Sequence, residues 1–126
     1  MADGDRVVLT VPAREEFART VRIAAAEIAT RVGMDIDAID DVRIAVEEAF
    51  VFGNEHAAGP ELEFAFTLQP AAVELSVGPL VANCASDDTP DRGERYARFI
   101  LESICDEFEI LESDGACHLR MVKTAG

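Results

Sequence analysis

The chain of 126 residues has the length of one domain, and its apolar fraction of 49% excludes a disordered chain. Twenty-five acidic residues against 11 basic ones give a net charge of −14. Because Lys and Arg supply most of the affinity for phosphate backbones and for anionic lipids, this charge argues against nucleic acid and membrane surfaces as partners. It fits a basic protein partner, and it equally fits a role in solubility alone. We expect a single domain over residues 1–126.

The first half of the chain predicts one strand, over residues 7–13, followed by two helices, over 15–32 and 36–57. The first segment is rich in β-branched residues and contains a proline, as an edge strand does. The next two carry apolar residues at helical spacing. Asp35 or Asp37 is expected to cap the second helix.

The second half of the chain predicts two hairpins and a third helix. Residues 62–69 and 72–78 alternate between apolar and polar side chains around a tight turn. The polar segment 81–94 predicts a loop, and 93–106 returns to helical spacing. The last segment reads as two strands around the turn 113–115. The order β-α-α-β-β-α-β-β predicts an α+β two-layer sandwich, with a mostly antiparallel mixed sheet and three helices on one face.

The three cysteines predict reduced thiols in a cytoplasmic protein. Cys84, Cys105 and Cys117 are odd in number, widely spaced and without a C-x-x-C pair, which argues against a disulfide framework or a zinc site. We expect Cys105 and Cys117 to be buried and poorly reactive, and Cys84, in the predicted loop, to react first with a labelling reagent. The first residues lack the apolar stretch of a signal peptide, and no apolar run is long enough to span a bilayer.

The element order and two segments resemble the anti-sigma-factor serine-kinase family, whose members have the histidine-kinase-like ATPase fold (GHKL or Bergerat fold). DAIDDVRIAVEEAFVFGNEHA is similar to the second helix of that family. RFILESICDEFEI, followed by HLRMVKT, is similar to its last helix and closing strands. The resemblance implies ATP and magnesium in active members, a sigma factor and an anti-sigma antagonist as protein partners, and a homodimer.

The nucleotide site of active relatives includes E-x-x-x-N-x-x-x-H on the second helix, where the Glu is the general base and the Asn binds Mg²⁺. Residues four apart lie on one stripe of a helix. Glu48 and His56 match the first and last positions, but Phe52 stands at the middle one, and a phenyl ring cannot replace an oxygen ligand of Mg²⁺. Asn54 lies about 200° round the helix from Phe52, so we expect its amide to point elsewhere.

Two further motifs of the family are altered. At its D-x-G-x-G motif, where the Asp accepts a hydrogen bond from adenine, this chain has Ser76, Gly78 and Leu80. At its G-x-G-L turn, which holds phosphates with backbone N–H groups, residues 95–98 read RYAR.

These changes predict a regulatory protein-binding domain that resembles an anti-sigma factor and needs no cofactor. Glu48 is then a remnant of the catalytic base, and Ser76 and Gly78 are remnants of cofactor binding. One alternative is an active serine kinase that binds ATP and magnesium and phosphorylates an anti-sigma antagonist. The other is an orphan interaction domain with different partners.

Overall fold

The structure is a computed structural model that describes residues 4–82, 84 and 92–125. The predicted order of helices and strands is confirmed. In chain order the elements are β1 (Arg6–Pro12), a 3₁₀ turn (Glu15–Phe17), α1 (Ala18–Arg31), α2 (Ile36–His56), β2 (Glu61–Gln69), β3 (Ala72–Val81), α3 (Arg92–Ile104), β4 (Glu107–Ser113) and β5 (Ala116–Thr124).

The five strands form one sheet in the order β1-β2-β3-β5-β4, and every neighbouring pair is antiparallel. Both predicted hairpins are present. Asp114 and Gly115 connect β4 to β5 with φ values of 54° and 78°, the left-handed conformation that a tight Asp-Gly hairpin turn requires. The α+β sandwich predicted from the sequence is therefore confirmed.

The core lies between the helices and one face of the sheet. Phe64, Phe66 and Val77 alternate along β2 and β3 and are at most 1% exposed. The central helix α2 packs against α1, α3, β3 and β5. Its Phe50 ring stacks on the ring of Phe64, with centroids 5.7 Å apart. At Gly53, an added Cβ would lie 3.3 Å from the Leu62 side chain, so the absence of a side chain lets α2 approach the sheet closely.

The opposite face of the sheet is polar and carries a network centred on Arg120. Its guanidinium donates to Glu74 at 2.8 Å on β3, and to Glu107 and Glu109 at 3.0 and 3.1 Å on β4. Hydrogen bonds to Glu107 and Glu74 raise the pKa of Arg120. This network joins three adjacent strands on the face that the helices leave uncovered.

Several predicted boundaries move by a few residues. Asp35, and not Asp37, caps α2, because its Oδ1 accepts from the Ala38 N–H at 2.8 Å. The last helix ends at Ile104, two residues earlier than predicted, and β3 continues to Val81, three residues further than predicted. The predicted loop 81–94 overlaps the end of β3 and the start of α3, and residues 83 and 85–91 lie outside the described part of the chain.

The burial of Cys84 contradicts the expectation that it reacts first with labelling reagents. Its side chain is 2% exposed and belongs to the core cluster, so the thiol is shielded from solvent. Burial is the main cause that raises its pKa to about 12. Cys117 is buried, and Cys105, just after α3, is half-buried, with a pKa raised to about 11 by burial.

Within the part of the chain that the structure describes, no helix combines the length and the apolar character needed to cross a membrane.

Candidate functional site

Helix α2 is continuous through His56, so Glu48, Phe52 and His56 do lie along one side of it, as the spacing predicts. The middle position is closed. Phe52 is fully buried, and the His56 ring lies over the Phe52 ring, with centroids 4.6 Å apart and planes tilted by 36°. An apolar contact therefore occupies the place where the resemblance puts a metal ligand.

Backbone interactions join the end of β3 to the end of α2, next to His56. The Ala58 N–H donates to the Pro79 carbonyl at 3.0 Å, and Ala57 forms an antiparallel bridge with Leu80. The Leu80 side chain is fully buried in the same core cluster as Phe52. Where the resemblance puts a flexible glycine segment, the chain therefore has paired backbone and a leucine side chain.

Ser76 and Gly78 lie on the other face of the sheet. Strand β3 turns Val77 toward Gly53 of α2, so its neighbours Ser76 and Gly78 point away from the helices. Ser76 stands between Ala65 and Arg120 in the strand register. The structure therefore does not bring Ser76 to Glu48, and the inward-facing residue at this level is an apolar valine.

Gly78 is covered by an imidazole. A Cβ added at this glycine would overlap the ring of His118, which crosses it from β5. The glycine accommodates that ring on the polar face of the sheet, so its small size has a packing reason unrelated to a nucleotide.

Residues 95–98 lie inside α3, which is already helical from Arg92. Ala97 is fully buried, while Arg95 and Tyr96 are exposed. From residue 96 onward, the N–H groups of this helix are used by carbonyls one turn earlier. The backbone N–H groups of residues 96–98 are therefore already hydrogen-bonded within the helix and are not available to phosphates.

Glu48 lies at a groove between α1 and α2. The groove has a volume of about 520 Å³. Its lining residues are Glu15, Glu16, Ala18, Arg19, Arg22, Glu47, Glu48, Phe50, Val51, Asn54 and Glu55. Arg22 forms an ion pair with Glu47 across the groove. Burial, and then the charge of Glu47, raise the pKa of Glu48, which has no hydrogen-bond or ion-pair partner among the described residues.

Asn54 lines the same groove, which agrees with its predicted position on the far side of α2 from Phe52. Its Oδ1 is buried and accepts no hydrogen bond from any described residue. The sequence analysis missed this groove because it depends on how α1 and α2 pack together. Two spacings in the sequence could have indicated it. Glu47 and Asn54 are seven residues apart and so lie on one side of α2, and Arg19 and Arg22 are three residues apart and so lie on one side of α1.

Magnesium does not fit the residue at the middle position of the motif. Phe52 has no oxygen to offer a hard cation, and its ring is packed in the core. Among the described residues, no group of three or more His, Cys, Asp or Glu side chains is arranged to hold a metal ion. Glu48, the one chemically competent residue of the motif, faces the α1 groove.

Residues 11–123 match the family model of the histidine kinase-like ATPase domain. Among curated relatives, a serine-protein kinase RsbW of Halalkalibacterium halodurans is 28% identical over 129 residues, covering 88% of this chain and 78% of the relative. A serine-protein kinase RsbW of Listeria monocytogenes is 34% identical over 65 residues, covering 52% of this chain and 41% of that protein.

Two solved structures share the fold. The RsbU and RsbW domains of Rv1364c from Mycobacterium tuberculosis superpose with a TM-score of 0.71 at 20% identity, covering 95% of this chain and 32% of that one. The histidine kinase domain of Erythrobacter litoralis EL346 gives 0.53 at 11% identity, covering 99% of this chain and 65% of that one. The resemblance drawn from the sequence is confirmed: the chain belongs to the histidine kinase-like ATPase domain family.

Proposed function

We propose that this protein is a regulatory protein-binding domain of the anti-sigma type that does not bind Mg·ATP and does not phosphorylate its partner. The observation that carries the proposal is the full burial of Phe52 against His56, at the position where active members have a metal ligand. Phosphoryl transfer depends on positioned metal and charge, so a carboxylate alone does not catalyse it.

The other altered positions support the same proposal. The Ser76 side chain points to the polar face of the sheet, and Leu80 is buried in the same core cluster as Phe52. Residues 95–98 belong to a regular helix. In this proposal Glu48, Ser76 and Gly78 are remnants that perform no chemistry.

The proposed partners are proteins. Because the relatives are named as serine-protein kinases RsbW, we propose a sigma factor and an anti-sigma antagonist as partners, in the cytoplasm, with the chain as a homodimer. The net charge of −14 favours a partner with a basic surface over nucleic acid or an anionic membrane.

Calorimetric titration with ATP, with and without Mg²⁺, tests the loss of the nucleotide site. A charge-assisted hydrogen bond is worth roughly 1.5–3 kcal/mol, and each ~1.4 kcal/mol changes affinity tenfold. Losing the metal ligand, the adenine acceptor and the phosphate turn should weaken a micromolar site to about the millimolar range. A Kd for Mg·ATP below about 100 μM that Glu48→Ala abolishes would support the active kinase instead.

A variant and a partner assay sharpen the result. Phe52→Asn restores the oxygen ligand but leaves the other two sites altered, so we expect no recovery of Mg·ATP binding. Biolayer interferometry with purified sigma factors of the host bacterium tests the partner. If no sigma factor binds and Mg·ATP does not bind either, the protein is an interaction domain with different partners.

A further inference from the structure

Two thiols from distant parts of the chain meet in the core. Cys84, just after β3, is 2% exposed, and Cys117, on β5, is 1% exposed. Both side chains belong to one core cluster, and after burial the neighbouring Cys117 thiol is a further cause that raises the pKa of Cys84. Cys105, the third thiol, lies elsewhere, beside Lys123, Asp106 and Asp41.

The strand register explains why the two cysteines are neighbours. Leu80 and Val81 of β3 pair with Cys117 and Ala116 of β5, so the end of β3 lies directly beside the Cys117 backbone. Cys84, four residues beyond Leu80, is buried in the same core cluster as Cys117. Cys117 faces inward with Leu119 two residues later, and both are buried.

We propose that Cys84 and Cys117 are an oxidation site, at which a peroxide converts the two thiols into one reversible disulfide. One thiol, as its thiolate, attacks the peroxide: an S–O bond forms, the O–O bond breaks, and hydroxide leaves as water after taking a proton. The second sulfur then displaces water from this sulfenic acid, forming the S–S bond. Together the two sulfurs lose two electrons, hydrogen peroxide gains them, and two water molecules are released.

The expected bond differs from a structural disulfide. Disulfides of cytosolic proteins are usually transient and respond to oxidants. Because burial disfavours the thiolates, the reaction should be slow compared with an exposed cysteine. The bond would fasten the chain after β3 to β5 and enclose α3 and β4 in a covalent loop. This inference does not depend on the proposed function.

Peptide mapping of the peroxide-treated protein tests the proposal. After treatment with hydrogen peroxide and alkylation of the remaining thiols, cleavage after Arg and Glu places the cysteines on three separate peptides, 75–92, 103–107 and 113–120. We expect a cross-link between 75–92 and 113–120 that dithiothreitol releases, and one alkylated thiol at Cys105. A cross-link to 103–107, three alkylated thiols, or sulfinic acid on unlinked Cys84 or Cys117 would overturn the proposal.

Matched variants give a second readout. Oxidation of the wild type should raise its unfolding temperature by about 5–10 °C, since the bond closes a long loop in the unfolded chain. Cys105→Ala should keep this rise, whereas Cys84→Ala and Cys117→Ala should lose it and form no cross-link. An equal rise in all four proteins would contradict the proposal, and the wild-type mapping decides it even if a core variant does not fold.

Discussion

The two sides of helix α2 have opposite character within one turn. On one side, Phe52 is fully buried in the core and contacts His56. On the side facing α1, Glu47 and Asn54 line an open groove of about 520 Å³, which Glu48, one turn before Phe52, also borders. The comparison teaches that the middle position of the motif belongs to the closed side, whereas the nearest amide, that of Asn54, belongs to the open one.

Gly53 separates these two regions. It lies where α2 comes nearest to the sheet, with Leu62 and Val77 in contact distance of an added Cβ. The helix does not unwind at this glycine, so Asn54 keeps its place about 200° from Phe52. The Asn54 amide therefore cannot reach the position that Phe52 occupies on the helix.

The largest expected effect comes from removing the Phe52 ring from the buried side of α2. Phe52→Ala should lower the free energy of unfolding by about 3–5 kcal/mol, because it leaves a cavity in the core. Urea denaturation measures this change. Val51→Ala is the matched control, since Val51 is 44% exposed and its truncation should cost less than about 1 kcal/mol. Equal costs for the two variants would mean that the Phe52 side is not packed.

A smaller effect of opposite sign is expected on the groove side. Asn54→Leu should raise the free energy of unfolding by about 1 kcal/mol, because it removes a buried carbonyl oxygen that lacks a donor among the described residues. Asn54→Asp, of nearly equal shape, is the control and should destabilise the protein. If Asn54→Leu is as destabilising as Asn54→Asp, the amide has a partner that stabilises it.

The smallest effect concerns the charge of Glu48. Its folded-state pKa is raised above 4.5 by burial first and by Glu47 second. The stability that protonated Glu48 contributes is present below 4.5 and is lost as the pH rises through its folded-state pKa. Glu48→Gln should therefore match the wild type at low pH and exceed it at neutral pH by about 0.3 kcal/mol, a value reduced by solvent screening.

Glu55→Gln is the matched control for this pH dependence, because Glu55 is an exposed carboxylate of the same groove. It reports the general relief of repulsion in a chain with a net charge of −14. Denaturant unfolding at several pH values compares the two variants. A gain for Glu48→Gln that is no larger than that for Glu55→Gln would show that burial does not penalise the Glu48 charge.

Periodicity in the sequence was sufficient to predict the fold. The apolar spacing of the helices and the alternation in 62–69 gave the element order, and Asp114-Gly115 gave the last turn. These signals are local, since each reflects one face of one element. The position of Asn54 relative to Phe52 also followed from the helix rotation alone.

The candidate site was less predictable because it depends on contacts between elements. The resemblance to a family motif placed Ser76 beside the adenine. Side chains alternate between the two faces along β3, however, and that of Ser76 lies on the face away from the helices. Loop composition suggested an exposed Cys84, but contacts with the core cluster bury its side chain. The groove at Glu48 and Asn54 exists only where α1 meets α2.

The sheet order has a consequence for how the chain folds. Strands β2 and β3, and likewise β4 and β5, pair across short turns, whereas β1 pairs with β2 across both α1 and α2. Closing that long loop carries an entropic cost that the hairpins avoid. The edge strand β1 should therefore join the sheet late in folding. In native-state hydrogen exchange, its amides should open earlier than those of the central strand β3.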